Sequence, residues 1–317
     1  MSDAKIFKIL VSILEDLFIN PEEFRVTEEK VGEGSIAKVF IAKSIRTNQL
    51  YATKIIILGQ ESDESINKRF IQTCEILAKL NHPCITKFYG MSFNSINNPK
   101  KYEPTYLTDY FPNGTLNKIL MNGPEVWPNP QFISTKKIII LLGITHAMNY
   151  IHNQGVIHRN LNPNAILLDR NFYPHIGAFS LSRCFPHPLT KLMEFEMTTG
   201  IGTTFYMAPE LINEEEKYGI GVDIYAFSIL AYELVTEEKA RVRLFALIGH
   251  DERPSFNDKV TEPMKALISK CWCEDADERP SFDEIYEKLS TEYKSYFSYD
   301  DVDDNEINDF IKMLNKL

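Results

Sequence analysis

The sequence predicts an α+β chain with a small β-rich N-terminal part and a larger, mostly helical C-terminal part. Residues 24–57 carry the first half of this prediction, because they read as three strands, at Phe24 to Val31, Ala37 to Lys43 and Leu50 to Ile57. Residues 132–153 carry the second half, since they form one long, largely apolar helical stretch. With 317 residues, of which 44% are hydrophobic, the chain is long enough to bury a substantial core.

Charge and cysteine content narrow the class of protein. A net charge of -10 disfavours nucleic acid and anionic membrane as partners, because both require a concentrated positive field, and it suits basic protein segments better. The five cysteines are an odd number without a paired framework, and Cys271 and Cys273 lack a second ligand pair at zinc spacing, so we expect free thiols and no metal site there. The longest apolar stretch, Ile138 to Ile144, is too short to cross a bilayer, and we expect a soluble cytoplasmic protein.

The first 23 residues predict an amphipathic helix in front of the main domain. Between Ala4 and Ile19, apolar residues recur at helical spacing, and Pro21 stands just past the end of the pattern. Packing of the apolar stripe on the β-rich part is one interpretation. A docking or dimerisation helix is the other.

The stretch from Val156 to Arg183 resembles the catalytic loop and the magnesium loop of eukaryotic protein kinases, in which HRDLKPEN is followed by DFG. After His158-Arg159, Asn160 stands where the family has its catalytic Asp, and the Lys two positions later is Asn162. Ala165 replaces the magnesium-binding Asn, and the Asp of the DFG triplet is Ala178. The resemblance therefore implies a two-lobed kinase fold with helix C in the small lobe, no intact catalytic residue and no metal ligand.

A nucleotide-binding set is retained by the same resemblance. Gly32-Glu33-Gly34 matches the start of the glycine-rich loop, whose backbone N–H groups approach phosphates closely, although Ala37 replaces its third glycine. Lys54 in Tyr51-Ala52-Thr53-Lys54 matches the lysine that holds the nucleotide's phosphates. Together with the hinge and the residues that would flank an adenine, the nucleotide-binding positions are Gly32, Glu33, Gly34, Val39, Ala52, Lys54, Thr108, Asp109, Phe111 and Leu167.

The acidic partner that the family places opposite this lysine is missing from its position. Counting back nine residues from His82 gives Thr73, and the nearest acid, Glu75, lies about 200° further around the helix. We therefore expect no ion pair with Lys54.

The residues that hold the kinase fold together are kept. The hydrophobic spine maps onto Leu77, Phe88, His158 and Phe179 and is anchored by Asp223. Glu210 in the APE-like triplet is expected to pair with Arg279, and a phosphate on Thr198, Thr199 or Thr203 could dock on the retained Arg159.

The resemblance covers residues 24–292 and is strongest to the tyrosine-kinase-like group. It implies an N-lobe at 24–108, a hinge at 109–111 and a C-lobe at 112–292. The remaining residues, 293–317, form an acidic tail that is expected to be solvated, with a docking peptide as the alternative and a short helix from Ile307 to Leu317.

Three functions are consistent with this pattern. The first is a pseudokinase that binds a protein partner, such as an active kinase, and regulates it as a scaffold or allosterically. The second is a serine/threonine kinase with residual activity from an unorthodox site. The third is a switch that binds ATP without turnover. ATP remains a candidate ligand, whereas Mg²⁺ is not expected.

Overall fold

The computed structural model describes residues 15–34, 37–57, 63–123, 127, 133–184, 204–212, 218–240 and 253–317. These residues belong to two compact units. One contains the chain up to Asn81 together with Thr86–Phe111, and the other contains His82–Ile85 with Pro112–Leu317.

The N-terminal unit is a five-stranded antiparallel sheet with one long helix. Its strands are β1 (Phe24–Glu33), β2 (Ala37–Ser44), β3 (Leu50–Ile56), β4 (Phe88–Asn94) and β5 (Tyr102–Asp109), arranged in the order β1-β2-β3-β5-β4. Helix α1 (Asp63–Lys79) lies between β3 and β4 in the chain. The three strands predicted from residues 24–57 are confirmed, and they pair antiparallel in chain order.

The residues before β1 differ from the predicted helix. Residues 1–14 lie outside the described residues, and Glu15–Leu17 form a short 3₁₀ turn. Phe18 then forms a parallel bridge with Met91, and the Ile19 amide donates to the Met91 carbonyl at 2.9 Å. The expectation of an α-helix continuing to Ile19 is therefore wrong for residues 15–19, because the exposed edge of β4 offers their backbone a pairing partner.

The C-terminal unit is mostly helical. Its helices are α2 (Leu116–Asn122), α3 (Ile133–Asn153), α4 (Pro209–Ile212), α5 (Gly221–Thr236), α6 (Glu262–Cys271), α7 (Phe282–Tyr296) and α8 (Asp304–Leu314). Two small antiparallel pairs join β6 (Val156–Ile157) to β9 (Arg183–Cys184) and β7 (Ile166–Leu168) to β8 (Pro174–Ile176). Among the described helices, α3 is the longest and confirms the long apolar helix of the sequence.

Helix α5 lies at the centre of this unit. Every one of its residues is buried, and an all-round apolar helix of this kind is typical of a core position. Around it, helix starts are fixed by side-chain caps, such as the reciprocal pair between Ser281 and Glu284 at the start of α7. Through Asp223, helix α5 also binds the loop that follows β6, which is described below.

The C-terminal residues pack on the unit and are not a solvated tail. Asp303 caps α8 by accepting from the amides of Asn305 and Glu306, and the helix buries Ile307, Phe310 and Leu314. Phe310 contacts α3 at Gly143, where a Cβ would stand 3.2 Å from its ring and 2.5 Å from Pro174 Cγ, so glycine lets both side chains approach α3 closely. The acidic residues lie at the start of the helix, where they complement its dipole.

None of the helices in the described ranges is long and apolar enough to cross a membrane. The thiols of Cys74, Cys84, Cys271 and Cys273 are free, as expected.

Candidate functional site

The loop that follows β6 is held by one buried carboxylate. Asp223 of α5 accepts from the backbone amides of His158 at 2.8 Å and Arg159 at 2.7 Å, and His152 Nε2 lies 3.0 Å from it. Burial alone would raise the pKa of Asp223, but the hydrogen bond with His152, the electrostatic interactions with His152 and His158 and the His158 amide outweigh it and lower that pKa. An ionised Asp223 therefore fixes the loop backbone, including the left-handed conformation of Arg159 at φ 60°.

Asn160 occupies the base position with its oxygen already engaged. The Asn162 amide nitrogen donates to the Asn160 carbonyl at 2.9 Å and to Asn160 Oδ1 at 3.1 Å. An uncharged amide has no practical basicity near neutral pH. The pair can therefore orient a polar group by hydrogen bonding, but it cannot remove a proton.

The two metal-ligand positions are brought together, and both carry a methyl group. The amide of Gly177 donates to the Ala165 carbonyl at 2.8 Å, which places Ala165 beside the segment that begins at Ala178. Ala178 has a left-handed backbone, with φ 62° and ψ 41°, a conformation that alanine rarely adopts.

These residues do not fit a magnesium ion. Mg²⁺ requires near-octahedral oxygen coordination that normally includes carboxylates, and neither Ala165 nor Ala178 offers a side-chain oxygen. The nearby Asn162 Oδ1 is already engaged by the Asn164 amide at 2.9 Å. Within the described ranges, no group of three or more His, Cys, Asp or Glu side chains could hold a metal ion.

The glycine-loop positions lie on the β1–β2 hairpin of the N-terminal unit. Gly34 donates to the Ala37 carbonyl at 2.9 Å and so closes the hairpin, whose tip residues 35 and 36 are outside the described residues. Glu33 is ion-paired with Lys30 at 2.5 Å, and this hydrogen bond lowers the pKa of the Glu33 carboxyl. Its carboxylate is therefore directed to a neighbour on its own strand.

Lys54 lies on β3 opposite Val39, and Ala52 lies two residues before it on the same strand. Its ammonium stands 5.5 Å from the ring centroid of Tyr106, and no described carboxylate of the N-terminal unit pairs with it. Burial lowers the pKa of Lys54 to about 8. The Thr73 hydroxyl donates instead to the Arg69 carbonyl at 2.8 Å, within helix α1.

The hinge positions follow β5. Thr108 is fully buried, and Asp109 accepts from the Lys87 amide at 3.0 Å and from the Tyr89 hydroxyl at 2.8 Å. The Asp109 side chain is thus occupied by these two hydrogen bonds. Leu167, the last position of the nucleotide-binding set, lies on β7 in the C-terminal unit and is bridged to Thr115.

The C-terminal half of the hydrophobic spine is assembled. The rings of His158 and Phe179 meet edge to face with centroids 4.9 Å apart, and His158 Nε2 donates to the Gly177 carbonyl at 2.8 Å. In the N-terminal unit, Leu77 is buried and Phe88 is half-buried.

Arg279 forms the expected pair with Glu210. Its guanidinium donates to both carboxylate oxygens at 2.6 and 3.0 Å, and both side chains are buried. A two-pronged charge-assisted contact of this kind is strong and directional. The prediction of this pair is confirmed.

Arg159 is already engaged in this structure. Its guanidinium donates to the Leu181 carbonyl at 2.5 and 2.8 Å and to the Tyr218 hydroxyl at 2.6 Å. The contact with Tyr218 was not foreseen, since nothing in the local sequence links residues 59 positions apart. Thr198, Thr199 and Thr203, the expected phosphate carriers, lie outside the described residues.

A second unforeseen feature is a histidine pair between the His82–Ile85 segment and α3. The Cys84 amide donates to His82 Nδ1 at 3.0 Å, so His82 carries its proton on Nε2, which lies 2.8 Å from His146 Nδ1. Both rings are neutral in this arrangement.

One unit carries the glycine hairpin and Lys54, and the other carries the loop with His158 and Arg159, which Asp223 holds. These features together are typical of a protein kinase domain. A sequence model of the protein kinase domain matches residues 25–289, and the chain belongs to that family. The chain is 32% identical over 275 residues to "Probable serine/threonine-protein kinase drkC" of Dictyostelium discoideum, covering 83% of this chain and 34% of that protein.

Two further relatives carry similar names. Over 269 residues, 82% of this chain and 30% of the relative, it is 28% identical to the human "Serine/threonine-protein kinase TNNI3K". It is 29% identical to the "Serine/threonine-protein kinase VIK" of Arabidopsis thaliana, covering 82% of this chain and 58% of that protein. The chain therefore spans about a third of the length of the first two relatives.

Proposed function

We propose that this chain is a pseudokinase of the tyrosine-kinase-like group, which binds ATP without magnesium and regulates a protein partner in cytoplasmic signalling. The observation that carries the proposal is a division among the residues of the kinase pattern. Those that hold the fold are kept and make their contacts, whereas those that hold magnesium are alanine.

The scaffold side of this division is complete in the C-terminal unit. Asp223 binds the backbone of the loop, Arg279 binds Glu210, and His158 packs on Phe179. Without selection, buried contacts of this kind would be lost as readily as metal ligands. Removing one partner of a buried ion pair costs on the order of 3–5 kcal/mol, so selection for a folded domain would keep them. The pattern favours selection for a folded domain without phosphoryl transfer.

Metal-free ATP binding is supported by the lysine. Lys54 is a half-buried cation without a carboxylate partner among the described residues of its unit, so the phosphates of a nucleotide would supply the missing negative charge. The glycine hairpin is formed by β1 and β2, and β2 pairs directly with β3, which carries Lys54. In this proposal, ATP binds to the domain as a structural ligand and is not turned over.

The partner is proposed to be a protein with a basic surface, an active kinase being the leading candidate. The net charge of -10 favours a basic partner electrostatically. Nucleic acid and membrane surfaces are disfavoured by the same charge.

Thermal unfolding with increasing ATP in the presence of a chelator tests nucleotide binding. Ligand binding to the native state raises the midpoint temperature of unfolding. At a ligand concentration of a hundred times Kd, the free energy of unfolding increases by about 2.7 kcal/mol. We expect a rise for the wild type and none for Lys54→Met, which keeps the length and apolar stem of the side chain. No rise for the wild type would leave a scaffold without nucleotide and would contradict the ATP part of the proposal.

A serine/threonine kinase with residual activity is the second candidate. It is favoured by the retained Lys54 and by the names of the relatives above. Transfer of labelled phosphate from ATP to a generic protein substrate in the presence of Mg²⁺ separates the two candidates. Transfer that disappears in Lys54→Ala supports the kinase, whereas no transfer above a chelator blank supports the pseudokinase.

A further inference from the structure

Residues 15–20, here called the strap, lie at the edge of β4, where Phe18 forms a bridge with Met91 and the Ile19 amide donates to the Met91 carbonyl. The contact is close because residue 90 is glycine: a Cβ there would stand 2.5 Å from Ile19 Cγ2 and 2.7 Å from the Leu17 carbonyl oxygen. Gly90 also has φ 141°, which side-chain-bearing residues rarely adopt. The strap thus has a specific seat on the sheet.

Successive strap residues contact different partners, as in a strand. Ile19 packs against a cluster formed by Ala42, Ile96 and Leu107. The ring of Phe18 meets that of Phe93 of β4 with centroids 5.7 Å apart.

From Phe18 a row of aromatic rings continues to Lys54. Phe93 lies 5.5 Å from Phe70 of helix α1, Phe70 lies 6.3 Å from Tyr106 of β5, and Lys54 Nζ lies 5.5 Å from the Tyr106 ring. Each separation is within the range of favourable aromatic contact. Phe70 and Tyr106 are at most 3% exposed, so the inner part of the row is buried.

We propose that the strap is a built-in regulatory clamp: its seating on β4 supports the aromatic row that shields the Lys54 ammonium from water, so release of the strap hydrates this lysine. Coupling of this kind requires an element with two arrangements; in this proposal they are the seated strap, which the structure shows, and a released strap. Because coupling is reciprocal, a change at Lys54 also alters strap seating. This inference goes beyond nucleotide binding and does not rest on it.

The experiment follows the Lys54 amine by NMR in the full chain with ¹³C-methylated lysines, with Lys54→Arg to assign the resonance. We compare the wild type with Phe18→Ala, which opens the outer end of the row. Phe24→Ala is the matched control: Phe24 is a half-buried aromatic residue that packs, like Ile19, on the cluster of Ala42, Ile96 and Leu107, but its described ring contact, with Tyr51 at 5.6 Å, lies outside the row.

We expect Phe18→Ala to raise the Lys54 pKa towards that of an exposed lysine, and by more than Phe24→Ala raises it. Gly90→Ala provides a second route, because its methyl group displaces the strap while every ring of the row remains. It should raise the Lys54 pKa in the same way and speed hydrogen exchange at the Ile19 amide. If the Ile19 amide exchanges faster in Gly90→Ala but the Lys54 pKa stays at the wild-type value, the clamp is refuted.

Discussion

At the scale of single residues, the most informative replacement is Ala178. Its backbone is left-handed, the conformation in which alanine costs roughly 1–2 kcal/mol relative to a right-handed one. The backbone of residue 178 therefore suits Asp, Asn or Gly better than Ala, and the alanine side chain offers no oxygen to a metal ion.

Removing the Cβ of Ala178 should therefore stabilise the fold. We expect Ala178→Gly to raise the free energy of unfolding by about 0.5–1 kcal/mol in urea titrations, because glycine adopts positive φ without strain. Ala165→Gly is the control, since Ala165 is buried and is not among the residues with positive φ. It should destabilise by a similar amount, and equal effects of the two substitutions would contradict the strain.

The lowered pKa of Lys54 predicts how ATP binding depends on pH. Below about pH 8 the amine is charged and attracts phosphates, whereas above it the folded protein must take up a proton to bind. The affinity for ATP should therefore fall with rising pH, by up to about tenfold per pH unit between pH 8 and 9. Lys54→Arg, which stays charged, should bind with little change across this range, and a parallel fall in both proteins would refute the assignment.

At the scale of elements, the His82–His146 pair makes the contact between the His82–Ile85 segment and α3 sensitive to acid. Burial, with the neighbouring His146 and His175, lowers the pKa of His82 to about 3. Burial also lowers the pKa of His146, against the opposing charge of Asp283. A proton on His146 Nδ1 would face the His82 Nε2–H group, and a second proton on His82, at Nδ1, would face the Cys84 amide N–H, so the native contacts require both rings to be neutral.

The sign of the pH effect follows from these lowered values. Below about pH 6.5, an unfolded histidine binds a proton that the folded ring does not bind. The free energy of unfolding therefore decreases as the pH is lowered, by at most about 1.4 kcal/mol per pH unit for His82. Urea titrations at pH 7, 6 and 5 measure this slope. His146→Asn keeps an acceptor for His82 Nε2 but cannot titrate, and its slope should be smaller; an unchanged slope would show that the pair does not carry the effect.

Helix α8 is held to the C-terminal unit by one apolar face and by polar contacts at its start. Lys136 pairs with Glu306, and the Tyr173 hydroxyl donates to the same carboxylate at 3.0 Å. The Tyr173 ring meets Phe310 edge to face at 4.9 Å. The acidic residues thus serve as a helix start and as hydrogen-bond acceptors for the domain.

Truncation of that apolar face should be costly. We expect Phe310→Ala to lower the free energy of unfolding by about 3–5 kcal/mol, because a fully buried ring would leave a cavity against α3. Met313→Ala, on the exposed side of the same helix, should change it by less than about 0.5 kcal/mol. Similar small values for both in thermal unfolding would mean that α8 is not part of the folded unit.

At the scale of the whole molecule, what the sequence predicted depended on how local each signal was. Strands β1 to β3 and helix α3 follow from alternation and helical periodicity within the segment itself. The Glu210–Arg279 pair followed from spaced motifs although its members lie 69 residues apart. The strap, the seat of α8 and the Tyr218 contact could not be predicted, because an apolar stripe shows that a segment will pack but not on which surface. Gly90 and Gly143, which permit two of these contacts, read as ordinary glycines in the sequence.

We propose that this domain kept the kinase scaffold and lost the means to hold magnesium. Isothermal titration of ATP into the wild type, with and without Mg²⁺, tests it most directly, beside the variant Asn160→Asp/Ala165→Asn/Ala178→Asp. We predict that Mg²⁺ does not tighten ATP binding to the wild type but tightens it by at least about tenfold, or 1.4 kcal/mol, in the variant. Magnesium-dependent tightening in the wild type would contradict the account.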